Sequence, residues 1–76
     1  MDNLNIIQGI LCDIFDDKSI TITRDSSLDE IDGWDSLAKV NFIAACESEF
    51  DIRFDINEII ELKDVEHVLN IISQRR

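Results

Sequence analysis

The chain has 76 residues and a net charge of −10 at pH 7, from seventeen acidic and seven basic residues. This length predicts a single domain, and an apolar content of 45% is enough for one compact core. The acid excess argues against nucleic acid and against an anionic membrane surface as partners, because both attract clustered basic side chains. It favours protein partners with basic surfaces, although a solvated acidic surface without a specific partner fits the charge equally well.

The residue types favour helices and a cytoplasmic location. The sequence contains no proline and only two glycines, the two residue types that most disfavour a helix interior. No segment is long enough to cross a bilayer, and the start at Met1-Asp2-Asn3 lacks the basic residues of a signal peptide. Cys12 and Cys46 match no metal-binding or redox spacing, so both are predicted to be buried free thiols. We expect a cytoplasmic monomer.

Apolar spacing predicts a first helix from about residue 3 to residue 16. Asp2 or Asn3 can cap its start, because a side-chain oxygen there accepts a hydrogen bond from a free backbone N–H. The residues that recur every three or four positions are Leu4, Ile7, Leu11 and Ile14.

Residues 17–35 break this spacing and are predicted to form a long ordered loop. Residues 20–23 alternate like a strand, but a single short strand has nothing to pair with. A loop of this length suits a compact domain only if apolar side chains attach it to the core. The side chains available for this are Ile20, Ile22, Leu28 and Ile31. Gly33 permits the turn that ends the loop.

The second helix is predicted from Ser36 to about Phe50, with apolar residues on two faces. At about 100° per residue, one face is predicted to lie in the core and contains Phe42, Ile43, Cys46 and Phe50. The other face is predicted to be exposed and contains Leu37, Val40 and Ala44. The pattern leaves open whether this second face docks partner proteins, contacts the long loop or is simply exposed.

The remaining residues predict two further helices. The first is brief, one or two turns long, and its apolar residues are Ile56, Ile59, Ile60 and Leu62. Asp64 is predicted to cap the last helix, whose inward residues are Val65, Val68, Leu69 and Ile72. Arg75 and Arg76 suit the negative end of that helix. The prediction is therefore an all-α fold, a small four-helix bundle with a long first loop and a short third helix, in one domain over residues 1–76.

Ser36 lies where the loop becomes the second helix, and nothing in the sequence equips it as a catalytic nucleophile. A nucleophilic serine needs a base within hydrogen-bonding distance. His67 is the only histidine, and its setting in the last helix predicts a structural or solvent-facing residue. Asp35-Ser36 also lacks the flanking glycines of a hydrolase nucleophile elbow. We therefore predict that the protein is not an enzyme.

The sequence gives little support for a metal site either. The carboxylates near Ser36 could hold calcium, but an EF-hand alignment through Asp32-Gly33 places Leu28 and Lys39 where that loop requires carboxylates. Covalent modification fits better, because free N–H groups at a helix start favour an attached phosphate. Considered alone, these residues favour the simpler interpretation that Ser36 or Asp35 is only a helix cap.

The run Gly33-Trp34-Asp35-Ser36-Leu37 resembles the attachment site of acyl carrier proteins and related peptidyl or aminoacyl carrier domains. The resemblance extends over the whole chain, through its length, its long first loop, its short third helix and its acid excess. It implies that Ser36 receives 4′-phosphopantetheine from coenzyme A through a phosphopantetheinyl transferase. The thiol of this arm would carry an acyl or aminoacyl group as a thioester. Asp35 and Leu37 would complete the sequence that the transferase reads.

The same resemblance implies which residues meet partner enzymes. Leu37, Val40, Ala44 and Glu47 match partner-facing positions, and the partners would be acyl- or aminoacyl-loading and acyl-transferring enzymes with basic surfaces. The pathway could be fatty-acid, polyketide or another specialised biosynthesis. The alternative is an acidic helical interaction module that is never loaded.

Departures from the family pattern argue against a housekeeping fatty-acid role. Ala38 and Asn41 stand where typical fatty-acid carriers have acidic residues, and Lys39 adds a positive charge. Trp34 also occurs in many specialised carriers. Phe42 is bulkier than the aliphatic residue usual at its position, so a long acyl chain is expected to fit poorly beside the core residues Ile43 and Cys46.

Overall fold

The computed structural model describes residues 2–75, and this part of the chain folds into four α-helices without a β-strand. A single 3-10 turn, Leu28–Glu30, interrupts the long first loop. The predicted all-α four-helix fold is confirmed, and the predicted helix boundaries are correct to within a residue or two. In chain order the helices are α1 (Asn3–Phe15), α2 (Ser36–Phe50), α3 (Ile56–Glu61) and α4 (Val65–Arg75).

α1 begins and ends as its sequence requires. Asp2 is the N-cap, because its Oδ1 accepts a hydrogen bond of 3.0 Å from the backbone N–H of Leu4. Ile7 and Leu11 are fully buried, so the predicted apolar stripe is the face that packs into the core. The helix stops at Asp16, whose backbone adopts the left-handed conformation with φ 50°.

The long loop is attached to the core by its apolar side chains, as predicted. Leu28 is fully buried and Ile22 is buried, whereas Ile20 and Ile31 are half-buried against the core. No strand forms at residues 20–23. The prediction of an ordered, attached loop is confirmed.

The loop is also bonded to the segment before α4, which the sequence did not indicate. The backbone N–H of Leu28 donates to the carbonyl of Lys63, and that of Val65 donates to the carbonyl of Ser26, each at 3.0 Å. These two bonds satisfy backbone groups that a loop would otherwise leave to solvent, and they hold the long first loop against the segment that precedes α4.

α2 and α4 supply most of the remaining core. All four predicted core residues of α2 are buried, and Ala38 in its first turn is buried as well. Asp64 caps α4 as predicted, since its Oδ1 accepts from the backbone N–H of His67 at 2.8 Å. The buried residues of α4 are Val65, Val68, Leu69, Ile71 and Ile72. Ile71 is the member that the predicted inward face omitted.

None of the six residues of α3 is fully buried. Ile56 and Ile60 remain 73% and 67% exposed, and only Ile59 packs partly against the core. The helix is held mainly by polar contacts at its first turn, where the backbone N–H of Asp55 donates to Glu58 Oε1 at 2.8 Å.

Arg75, at the end of α4, makes the strongest of those contacts. Its two guanidinium N–H groups donate to both oxygens of Glu58, at 2.6 and 2.7 Å, and one also donates to the carbonyl of Arg53 at 3.0 Å. The bidentate bond from Arg75, together with the Asp55 backbone N–H, lowers the pKa of the Glu58 carboxyl below its usual value. Arg75 thus serves α3 as well as the end of its own helix, and Arg76 lies outside the described residues.

Candidate functional site

Ser36 is exposed and is the first residue of α2, as predicted. The N-cap is Asp35, whose Oδ1 accepts a hydrogen bond of 2.8 Å from the backbone N–H of Ala38. The carbonyl of Asp35 accepts the first helical bond, from the N–H of Lys39 at 2.9 Å. Because Asp35 performs the capping, the Ser36 hydroxyl is free of that role, and it has no hydrogen-bond partner within residues 2–75. The alternative that Ser36 is only a cap is thereby removed.

The start of α2 also offers donors to an anion. Asp35 engages the N–H groups of Ala38 and Lys39, whereas those of Ser36 and Leu37 have no acceptor in the described chain. Free first-turn N–H groups carry the partial positive charge of the helix end, which favours a phosphodiester. A phosphate on the Ser36 hydroxyl fits this environment.

A glycine turn and an aromatic row fix the position of Ser36. Gly33 has φ 85°, a left-handed conformation that side chains rarely adopt, and a Cβ there would lie 3.4 Å from a ring carbon of Phe15. The Trp34 ring packs between two others, with centroids 6.5 Å from Phe15 and 5.9 Å from Phe42. The packing of Trp34 fixes the end of the loop against the core, two residues before the exposed Ser36.

The second apolar face of α2 is exposed, as the pattern predicted. Leu37 and Val40 are 69% and 58% exposed, and Ala44 is exposed beside them. Contact with the long loop, one of the three alternatives, therefore leaves most of this face open to solvent. Lys39, on the same helix, extends its ammonium to donate to the carbonyl of Ile60 on α3 at 3.4 Å. This bond joins α2 to α3.

Glu47 has a local partner that the sequence did not reveal. It is half-buried, and its Oε2 accepts a hydrogen bond of 2.8 Å from the backbone N–H of Phe54. This bond fixes the link between α2 and α3, and the second carboxylate oxygen accepts no hydrogen bond from the part of the chain that the structure describes. No sequence pattern predicted this bond, because its donor is a backbone N–H seven residues later, in the irregular link that follows α2.

The two cysteines are free, as predicted. Cys46 is fully buried, and burial raises the pKa of its thiol to about 12, with a smaller contribution from the nearby charge of Glu47. A thiol with this pKa stays protonated and unreactive at neutral pH. Cys12 is only half-buried, which corrects the prediction of full burial, and its thiol donates to the carbonyl of Ile20 at 3.5 Å.

His67 belongs to the contact between α3 and α4. It is half-buried, and its charge helps to lower the pKa of Glu58. No hydrogen bond joins its ring to Ser36 among residues 2–75.

In the same range, no group of three or more His, Cys, Asp or Glu side chains is placed to share a metal ion. No helix of the described chain is long and apolar enough to span a bilayer.

An exposed serine at the start of a helix in a small helical bundle is the arrangement expected of a carrier domain. A sequence profile for the family "Phosphopantetheine attachment site" matches residues 5–72. The chain therefore belongs to this family of carrier proteins, which are not catalytic themselves and whose prosthetic group is 4′-phosphopantetheine. The resemblance seen in the sequence is confirmed.

Two solved structures support the same assignment. The holo acyl carrier protein of Geobacter metallireducens is 35% identical, with a TM-score of 0.86 over 99% of this chain and 86% of that one. A Mycobacterium tuberculosis protein assigned as an acyl carrier protein is 25% identical, with a TM-score of 0.85 over 96% of this chain and 97% of that one. A comparison with curated protein sequences gives no match.

Proposed function

We propose that this protein is a stand-alone acyl carrier whose Ser36 bears the phosphopantetheine arm. The observation that carries the proposal is the division of roles at the start of α2, where Asp35 caps the helix and leaves the exposed Ser36 hydroxyl without a partner among residues 2–75. The arm's thiol holds an acyl or aminoacyl group as a thioester and presents it to enzymes of a biosynthetic pathway in the cytoplasm.

The docking face in this proposal consists of Leu37, Val40, Ala44 and Glu47. The first three give an exposed apolar patch on α2 immediately after Ser36, and partner contact would remove that patch from water. Glu47 contributes negative charge at its edge, and the net charge of −10 attracts partners with basic surfaces over a longer range. The phosphopantetheinyl transferase is the first such partner, and it reads Asp35 and Leu37 beside the serine.

Intact mass spectrometry after incubation with coenzyme A and a broad-specificity transferase tests the attachment. We expect the mass of one phosphopantetheine to be added, and no addition to Ser36→Ala. Ser48→Ala is the matched control, because Ser48 is also an exposed serine on α2 and its loss should leave the addition intact. An unmodified wild-type protein would support the alternative, an interaction module that is never loaded.

Asp35 allows capping and recognition to be separated. Asp35→Asn keeps an oxygen acceptor for the Ala38 N–H but removes the charge, whereas Asp35→Ala removes both. If the transferase reads the carboxylate, Asp35→Asn should fold with near wild-type stability and be modified more slowly. Equal transfer rates for wild type and Asp35→Asn would show that Asp35 acts only as a cap.

A further inference from the structure

A surface cleft lies between the end of α1 and the long loop. Its volume is about 450 Å³, within the range of small-molecule sites. Apolar side chains from both elements line it, among them Phe15, Ile20 and Ile31. The apolar lining can hold a short aliphatic chain, and the hydroxyl of Thr21 supplies a hydrogen-bonding group beside it.

The charged groups that line this cleft are all acidic. They are Asp17, Glu30 and Asp32, and no lysine or arginine of the described residues lines the cleft. Ser19 donates to Asp17 through both its N–H and its hydroxyl, at 2.9 and 2.6 Å, and these bonds lower the pKa of Asp17 so that it stays ionised. The carboxylates of Glu30 and Asp32 accept no hydrogen bond and form no ion pair within residues 2–75, so their charge is available to a ligand. The carbonyl end of α1 adds negative potential.

The cleft is within reach of an arm on Ser36. Asp32 precedes Ser36 by four residues, which can separate their Cα atoms by at most about 14 Å. A phosphopantetheine arm is roughly as long as four to five residues of extended chain. A cargo at the end of the arm can therefore occupy the cleft while the phosphate remains at the start of α2.

We propose that this cleft receives the cargo of the arm and selects a cargo that bears a protonated amine on a short aliphatic chain, as an aminoacyl group does. The inference rests on the proposed attachment at Ser36. An ammonium group satisfies the uncommitted carboxylates of Glu30 and Asp32, and its aliphatic stem covers the apolar lining. A long alkyl chain suits the cleft less well, because it offers the exposed carboxylates of Glu30 and Asp32 no charge partner. The fully buried Phe42 and Cys46 already fill the core side of α2.

Two matched cargoes test the inference on the folded holo protein. The transferase loads a phosphopantetheine arm that already carries either a γ-aminobutyryl or a pentanoyl group. An amide replaces the thioester in both arms, so neither is hydrolysed. The two groups differ only at their ends, where the first has an ammonium and the second a methyl group. Intact mass confirms each loading, and backbone amide NMR signals are then compared with those of the unacylated holo protein. We expect the amine-bearing arm to shift the signals of Thr21, Ile31 and their neighbours, and the pentanoyl arm to leave them unchanged.

Charge variants show whether the cleft carboxylates are responsible. The shifts should disappear in Glu30→Gln/Asp32→Asn and persist in Glu49→Gln/Glu61→Gln, which removes the same charge from exposed positions outside the cleft. Equal shifts with both cargoes, or shifts that survive Glu30→Gln/Asp32→Asn, would overturn the inference while leaving attachment at Ser36 intact. Cleft shifts that arise only when the transferase is added would assign the cleft to a basic partner instead. A protein that takes up no arm at all would overturn the proposed function and, with it, this inference.

Discussion

α2 and α3 both present exposed apolar side chains, but different interactions hold the two helices in place. α2 is fixed by a buried face, an N-cap and the aromatic row of Phe15, Trp34 and Phe42. α3 has no buried residue and depends on Glu58, which is bonded to Asp55 and Arg75. The helix that bears the candidate attachment site is therefore rigidly packed, whereas its neighbour is held mainly by charge-assisted hydrogen bonds at one end.

This contrast implies that α2 keeps its position when a partner binds, whereas α3 can move. A site that must present a single hydroxyl in a defined direction benefits from a packed support, since packing locks the position of the first turn. A helix that rests on few apolar contacts can move or unfold locally at low cost in free energy. Exposed isoleucines on such a helix can adjust to partners of different shape.

The largest expected difference between the two helices comes from apolar truncation. Phe42→Ala removes a fully buried ring and should cost about 3–5 kcal/mol of unfolding free energy. Ile60→Ala removes a side chain that is 67% exposed and should change that free energy by less than about 0.5 kcal/mol. Urea unfolding followed by circular dichroism measures both. If Phe42→Ala is unfolded without urea, Ile43→Val, with an expected cost of about 0.5–1.5 kcal/mol, replaces it in the comparison. Equal costs on α2 and α3 would contradict the contrast.

The two glycines give an intermediate effect of opposite sign. Gly33→Ala forces a side chain into φ 85°, with its Cβ 3.4 Å from the Phe15 ring, and should destabilise the protein by about 1–2 kcal/mol. Gly9→Ala lies inside α1 with no atom within 4 Å of the new Cβ apart from those of its chain neighbours and its own helical backbone, and should stabilise the protein by about 0.5–1 kcal/mol. Thermal unfolding of the two variants beside wild type is the measurement. A stabilising Gly33→Ala would show that the turn before α2 tolerates an ordinary backbone conformation.

The smallest expected effect on global stability comes from Arg75, and it should be confined to α3. Arg75→Ala removes both bonds to Glu58 and should raise amide hydrogen exchange in α3 several-fold while leaving α2 unchanged. Arg24→Ala, an exposed arginine without an ion pair in the described chain, is the control. Faster exchange in α2 as well would mean that the two helices open together.

Acid should reproduce the effect of the Arg75 variant. The folded-state pKa of Glu58 is depressed, so its contribution to stability is complete above the ordinary glutamate pKa of 4.5 and is lost as the pH falls through the lower folded-state value. Exchange in α3, corrected for the intrinsic effect of pH, should therefore accelerate below pH 4.5 in wild type and much less in Arg75→Ala.

Local patterns were sufficient to predict the helices, the attached loop and the exposed face of α2. Apolar spacing and cap residues depend on neighbours in the sequence, and Asp2, Asp35 and Asp64 all act within three residues of their partners. The contacts that were missed join distant parts of the chain or irregular backbone. Arg75 meets Glu58 across seventeen positions, and Leu28 meets Lys63 only because the fold brings the loop beside α4. The role of Trp34 in positioning Ser36 likewise depends on ring contacts that no periodicity encodes.

The capping of α2 by Asp35 instead of Ser36 has a thermodynamic consequence. A group that esterifies Ser36 breaks no hydrogen bond within residues 2–75, and a phosphodiester there gains the free first-turn N–H groups, so the modified form should melt at the same temperature as the unmodified form or slightly higher. The polypeptide can therefore be charged, discharged and recharged without losing folding stability in any round.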